Sequence, residues 1–451
     1  MRHSPRGITT GHIPQEAFAL AWPTVLTMVL MNTTHLANLF FVGKLGPHAM
    51  SAAGVGTLTI MILFAVAMAI TTGAVALIAR FVGARDPATA AEAAKQSILL
   101  AVVMSIAVGV PMYAARLPLV EALGVSPGAA RTAADFLAIA LTATPVHFLL
   151  MTQVHIYRAV GDVITPLKVL MVVNGLNILG DYLLIWGVGP FPQMGVPGAG
   201  VSLAIAWALG SVMMAFNLRR MPIWPYRRPG WYPSLSWFAR TLRIGWPAAV
   251  QHLIRTVGNM SFVFILARTP ARDAAIAALT AGMRIEGLAV MPGIAFGTAA
   301  SIMVGQNLGA RQPDRAAHSG WACAQQGAML MAFVGLMLWV FAKPIARVFT
   351  SDPQVIHLVV GFLKINALVE PMLGAGLVLS GALQGAGDTV TPAVATVVGM
   401  WVLRLPITAW LCLGLGHDAI AAWWVMAGST VAQGLLLITW FQVGRWKRKE
   451  V

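Results

Sequence analysis

Asn174, Asn177 and Asp181 stand three and four residues apart in an apolar stretch of a 451-residue chain. On an α-helix that spacing lines two amides and a carboxylate along one face. Such a group can take up a proton, because burial favours the neutral carboxyl, or hold a small cation through its oxygens. A second polar stripe, Gln251, Arg255 and Asn259 with His252 adjacent, repeats at four-residue spacing but is centred on a cation. Of the fifteen acidic residues, only Asp181, Glu286 and Glu370 fall well inside apolar runs. A charge at the centre of a bilayer costs about 2.5 to 3.5 kcal/mol on insertion scales, so these three are functional candidates by position alone. Arg255 is expected either to pair with Glu286 or Glu370, the favoured reading, or to face a cavity and attract an anionic group. Arg284 and Glu286 are two apart and point to different sides of their helix. Glu370 precedes Pro371, which should bend its helix.

Other reactive residue types carry less. His147 and His155 share a face eight residues apart, and Cys323 and Cys412 lie inside apolar runs, but neither pair has metal-site spacing. Neither a metal nor another cofactor is expected. No loop brings a nucleophile, a base and an orienting group together, so the chain does not read as an enzyme.

The elements that must position these residues follow from composition. Hydrophobic residues make up 58% of the chain and charged ones 10%, with a mean hydropathy of +0.77, beyond the range of soluble domains. About twelve apolar runs are long enough to cross a bilayer, among them 133 to 157 as the fourth and 276 to 306 as the eighth. The fold class is an all-α membrane protein. A net charge of +15 suggests a nucleic-acid partner only if the cations form one basic face. Instead they sit in loops, nineteen on the side of the N-terminus against seven on the other, which predicts both termini in the cytoplasm. The first sixteen residues lack the apolar core of a secretory signal, so the first span is expected to direct insertion itself.

The chain also repeats itself. GDVITP at 161–166 returns as GDTVTP at 387–392, an offset of 226 residues. At the same offset Gly83, Ala84, Arg85 and Pro87 meet Gly309, Ala310, Arg311 and Pro313, Pro118 meets Pro344, and Pro145 meets Pro371. Trp22-Pro23 recurs as Trp246-Pro247 after a two-residue slip. Six spans per repeat put both GD loops on one face of the membrane, which makes the halves parallel repeats with a substrate cavity between two bundles. Residues 1–218 are expected to form an N-terminal lobe, 219–244 a cytoplasmic interfacial linker and 245–451 a C-terminal lobe. The hexapeptide reads as a tight turn, with Gly161 and Gly387 ending one helix in a left-handed conformation. Thr165-Pro166 and Thr391-Pro392 then supply an N-cap hydroxyl and first-turn proline for the next.

Together GAVALIARFVGARDP, AASIMVGQNLGARQP, FVGKLG, ALQGAGDTVTP and NILGDYLLIWGVGPFPQMGVPGAG, in this order and spacing, resemble the multidrug and toxic compound extrusion (MATE) family over nearly the whole chain. The resemblance implies a V-shaped twelve-helix antiporter, monomeric and bound only by lipids and a small organic substrate. It would export bulky, often cationic compounds in exchange for H+ or Na+ across the plasma (inner) membrane. It also points to Asn177 and Asp181 as the family's N-lobe cation-binding pattern. Where many relatives place a second N-lobe Asp, this chain has Asn38, with His35 one turn earlier. Asn38 can ligate sodium or hydrogen-bond Asp181, but it cannot carry a proton. In the second half some relatives have a Glu where Arg255 stands. Glu286, Glu370, Arg255, Gln251 and Asn259 are the candidates for the substrate cavity. The alternative reading is a same-fold exporter of an organic anion or lipid-linked metabolite, prompted by Arg255, Arg404 and the missing acid at position 38.

Overall fold

The computed structural model describes residues 6–122, 127–219, 221, 223, 230–269 and 272–449. Arg220, Arg227 and Arg228 of the linker lie outside these. The first half runs through α1 (Arg6–Thr10), α2 (Ile13–Gly43), α3 (Pro47–Gly83), α4 (Pro87–Ala114), α5 (Arg116–Glu121), α6 (Pro127–Thr142), α7 (Thr144–Val160), α8 (Ile164–Trp186) and α9 (Val196–Leu218). The second runs through α10 (Leu235–Leu266), α11 (Arg272–Ala289), α12 (Met291–Gly309), α13 (Pro313–Val340), α14 (Ala342–Phe349), α15 (Pro353–Gly385), α16 (Val390–Val397), α17 (Leu405–Ala409) and α18 (Ala419–Val443). Wider π-helical turns at Val398–Arg404 and Trp410–Gly414 flank α17, and a 3-10 turn, Arg445–Arg448, ends the described chain.

Among the described residues ten helices are long and apolar enough to cross a membrane, or twelve if two bent pairs each count as one span. Those pairs correct the reading of the fourth and eighth spans as single helices: Ala130–Thr142 with Thr144–Val160 bends by 51°, and Arg272–Ala289 with Met291–Gly309 by 42°. Each break is followed by a proline, Pro145 or Pro292, in the first turn of the new helix, where its missing N–H is needed least. The bend expected at Pro371 is not a break, because α15 stays one helix through it.

Helix boundaries repeat with the sequence. Pro87–Ala114 and Pro313–Val340 are 226 residues apart at both ends, and α3 corresponds to α11 with α12. The joints agree as well. Gly161 and Gly387 have φ of 98° and 86°, the left-handed region that glycine enters without a Cβ clash. The N-cap expectation is corrected, since the helices begin at Ile164 and Val390, before the threonines. The capping acceptor is the loop carboxylate: Asp162 accepts from the Ile164 and Thr165 backbone N–H at 3.1 and 2.9 Å and from Thr165 Oγ1 at 2.7 Å. Asp388 accepts from Thr391 Oγ1 at 2.8 Å.

By contacts the chain forms two compact units, Leu26–Trp246 and Met1–Val25 with Pro247–Val451. One division falls two residues after Trp22-Pro23 and the other between Trp246 and Pro247. Each unit has its own apolar core, one around Leu63, Ile70, Leu137 and Phe148, the other around Phe262, Phe362, Leu363 and Trp423. Helices approach closely where side chains are absent, as membrane helices do through small residues. A Cβ on Gly381 would lie 2.2 Å from the Gly297 carbonyl oxygen, and one on Gly385 2.1 Å from that of Ser301.

Candidate functional site

In the unit Leu26–Trp246 the predicted stripe forms a connected polar cluster inside an apolar bundle. Asp181 is fully buried, and Asn177 and Ser202 nearly so. Asn177 Nδ2 donates to Ser202 Oγ at 3.0 Å and lies 3.4 Å from Asp181 Oδ1. Ser202 in turn donates to the Asn177 carbonyl at 2.8 Å, and Asn38 Nδ2 reaches Asn177 Oδ1 at 3.5 Å. Helix spacing explains the pair on α8, and a missing side chain explains the third member. Gly180 leaves α9 room to approach, since a Cβ there would lie 2.5 Å from Ser202 Oγ.

Two oxygens of this cluster accept no hydrogen bond from the described residues. Among the described residues Asp181 Oδ2 and Asn38 Oδ1 are buried without a hydrogen-bond partner, and so is Asn174 Nδ2. Two carboxylate or amide oxygens without donors are a place for a proton or a small cation, because an unsatisfied buried acceptor carries a desolvation cost of about 1 to 3 kcal/mol. Asn174 is half-buried and makes no bond to the pair, and His35 is exposed. The structure therefore joins Asn38, Asn177 and Asp181, adds Ser202, and leaves His35 and Asn174 outside the hydrogen-bonded group. Nothing in the run GAGVSLAIAW singled out Ser202.

The second-half stripe resolves differently. Gln251 Nε2 donates to Thr396 Oγ1 at 2.9 Å and the Pro392 carbonyl at 3.2 Å, while its Oε1 accepts from Gln384 at 3.3 Å. Gln433 also donates to Thr396 at 3.1 Å. This glutamine knot ties α10, α15, α16 and α18 together, so the polar atoms of Gln251 are engaged. Asn259 is half-buried and Arg255 exposed. The expected pairing of Arg255 is corrected: among the described residues it forms no salt bridge with Glu286 or Glu370. Helical spacing fixed its face but not its reach. The cation that Glu286 feels is Arg404, and Glu286 also interacts electrostatically with Glu370. Arg404 is held by Ser429 Oγ at 2.9 Å, Thr430 Oγ1 at 3.0 Å and the Met426 carbonyl at 3.3 Å, all on α18. Glu370 is 1% exposed, pressed against α13 at Gly335, and neither carboxylate oxygen has a hydrogen-bond partner among the described residues. A second buried acid with free acceptors is thus present on α15.

Residues 23–183 and 247–410 match the MatE family model. The chain is 27% identical over 447 residues to a probable multidrug resistance protein NorM of Thermotoga maritima, covering 97% of this chain and 94% of that one. It is 23% identical over 417 residues to a FAD transporter of Shewanella oneidensis, covering 89% of each. A MOP superfamily transporter of Pyrococcus furiosus, described as having a binding pocket of reverse polarity, superposes with a TM-score of 0.90 at 20% identity over the whole of both chains.

Proposed function

Because the chain belongs to the MatE family of multidrug and toxic compound efflux transporters, we propose that it is a secondary antiporter exporting amphipathic, mostly cationic organic compounds in exchange for H+ or Na+. The observation that carries this reading is Asp181, a fully buried carboxylate with one oxygen unpartnered among the described residues, beside the amides of Asn177 and Asn38. Ion uptake there stabilises one orientation of the carrier, and substrate binding stabilises the other. A ligand shifts such an equilibrium only through unequal affinity for the two states. His35 and Asn174 lie on the same two helices, α2 and α8, and modulate the ion site from outside its hydrogen-bonded group. Glu286, Glu370, Arg255 and Asn259 face the substrate path, and Gln251 orders the helices around it. The protein acts as a monomer in the plasma (inner) membrane, with both termini cytoplasmic, the orientation the loop charges favour, and needs no cofactor.

The test is efflux from vesicles containing the purified protein, driven first by a proton gradient alone and then by a sodium gradient alone. One of the two should support export. Asp181→Asn should reduce that export to the level of empty vesicles while the protein stays folded and inserted, and undiminished export rejects the assignment.

One observation favours a second reading, the export of an organic anion. Arg255 is exposed and has no salt bridge among the described residues, and relatives include a FAD transporter and a transporter with a pocket of reverse polarity. Competition decides between them: if carboxylated or phosphorylated compounds inhibit efflux of a test substrate and cationic dyes do not, the anion reading replaces the first.

A further inference from the structure

α2 and α10 each begin in one compact unit and end in the other, since residues 13–25 group with Pro247–Val451 and residues 235–246 with Leu26–Trp246. The chain leading into each helix is held by side chains of the unit it joins. Near the start of α4, Lys95 Nζ donates to the Gly230 carbonyl at 3.1 Å and Gln96 Nε2 to that of Tyr232 at 3.0 Å, while Gln96 Oε1 accepts from the Ser234 backbone N–H at 3.0 Å. Glu92 orients both donors, at 2.7 Å from Lys95 and 2.9 Å from Gln96. On α13, Gln326 Nε2 donates to the Pro14 carbonyl at 2.9 Å, and Arg315 donates to the carbonyls of Ile8 and Gly11.

α4 and α13 are counterparts in the repeat, but the holding residues are not. At the 226-residue offset Lys95 and Gln96 meet Trp321 and Ala322, while Arg315 and Gln326 meet Thr89 and Leu100. The same act is therefore performed twice by different chemistry. In both places the third span of a half, α4 or α13, catches backbone groups of the chain entering the first span of the other half, α10 or α2. Backbone carbonyls are the main targets, so main-chain position is fixed regardless of the side chains there. Lys95 and Gln96 are each 3% exposed, which leaves little water to replace a lost bond.

We propose that Lys95 with Gln96, and Arg315 with Gln326, are two positioning clasps. They keep residues 230–234 and 8–14 fixed to their host units throughout the transport cycle. α2 and α10 then pass the movement of one unit to the other instead of fraying at their entrances. This role rests on the transporter reading, whereas the clasps themselves can be read without it.

Two measurements test it on the full-length protein in vesicles. Amide hydrogen exchange should show residues 8–14 and 230–234 protected in the parent. Gln326→Leu and Gln96→Leu should each lose that protection only at its own entrance, lowering maximal efflux several-fold with half-saturation by substrate unchanged. Rapid exchange at both entrances in the parent, or variants with unchanged maximal efflux, overturns the proposal. In a background with Cys323→Ala and Cys412→Ala, Gln15→Cys and Met329→Cys, which line one groove beside Gln326, are joined by a cleavable thiol cross-linker. Export should survive the cross-link. A block that cleavage relieves shows instead that the entrance must part from α13 in every cycle, and sinks the idea of a permanent clasp. Failure of the parent to export under either ion gradient removes the transport reading and the coupling role together, and the exchange result still judges the contacts.

Discussion

α8 runs unbroken from Ile164 to Trp186 and carries an acid, Asp181, whereas its counterpart 226 residues on is α16, a π-helical turn, α17 and a second π-helical turn, and carries Arg404. Both lean on the last helix of their half through a serine. Asn177 meets Ser202 of α9 at 3.0 Å, and Arg404 meets Ser429 of α18 at 2.9 Å. The polar residues are out of step, however: the positions matching Asn177 and Asp181 are Leu403 and Ile407, and the one matching Arg404 is Ile178. The duplication has thus kept a way of packing and changed the charge that the packing holds. The acids of the second half, Glu286 and Glu370, reach its interior from α11 and α15 instead.

The largest effect should come from moving the acid across the repeat. Asp181→Asn combined with Ile407→Asp should show no ion-driven efflux, because the second half offers no Asn-Ser pair at that place. Recovery of export in vesicles would make the positions interchangeable and break the comparison. Next is Arg404→Leu, which strips three hydrogen bonds from a charged donor and leaves Glu286 without its cation. A loss of about 2 to 3 kcal/mol follows from hydrogen bonds to charged groups, read as a lower thermal midpoint of the purified protein, and Arg404→Lys should recover only part of it, lacking the planar fork. Ser202→Ala and Ser429→Ala should each cost about 1 kcal/mol. Only the first should also raise the ion concentration needed for half-maximal efflux, and equal shifts in both would erase the functional difference between the halves. The smallest effect tests where the halves agree. Arg85 and Arg311, at matching positions, have φ of 57° and 58°, a conformation that costs a residue with a Cβ about 1 kcal/mol. Arg85→Gly and Arg311→Gly should therefore raise the thermal midpoint slightly and alike.

The amino-acid order alone carries whatever depends on period and repetition. Apolar length gave the spans, the 226-residue offset gave the paired helices, and a four-residue step put Asn177 beside Asp181. Contacts between helices distant in sequence had no such signal. Ser202 joins the polar cluster around Asn177 only because Gly180 lets α9 come close. Four-residue spacing puts Arg255 on one face with Gln251 and Asn259, yet the guanidinium coupled to Glu286 comes from Arg404, on an element whose widened turns have no periodic mark. Likewise the proline before a break and the proline inside a continuous helix look the same in sequence: Pro145 follows a 51° bend, while Pro371, its match, does not interrupt α15.

The widened turns at Val398–Arg404 and Trp410–Gly414 also store chain length. Each π-helical bulge takes up a residue more than the α-helical path requires, so deleting one amino acid there can be absorbed by tightening the coil. The same deletion in α8 would swing every following side chain by about 100° around the axis, carrying the carboxylate off its amide neighbours. One half can lose a residue and keep its bearings; the other has no slack.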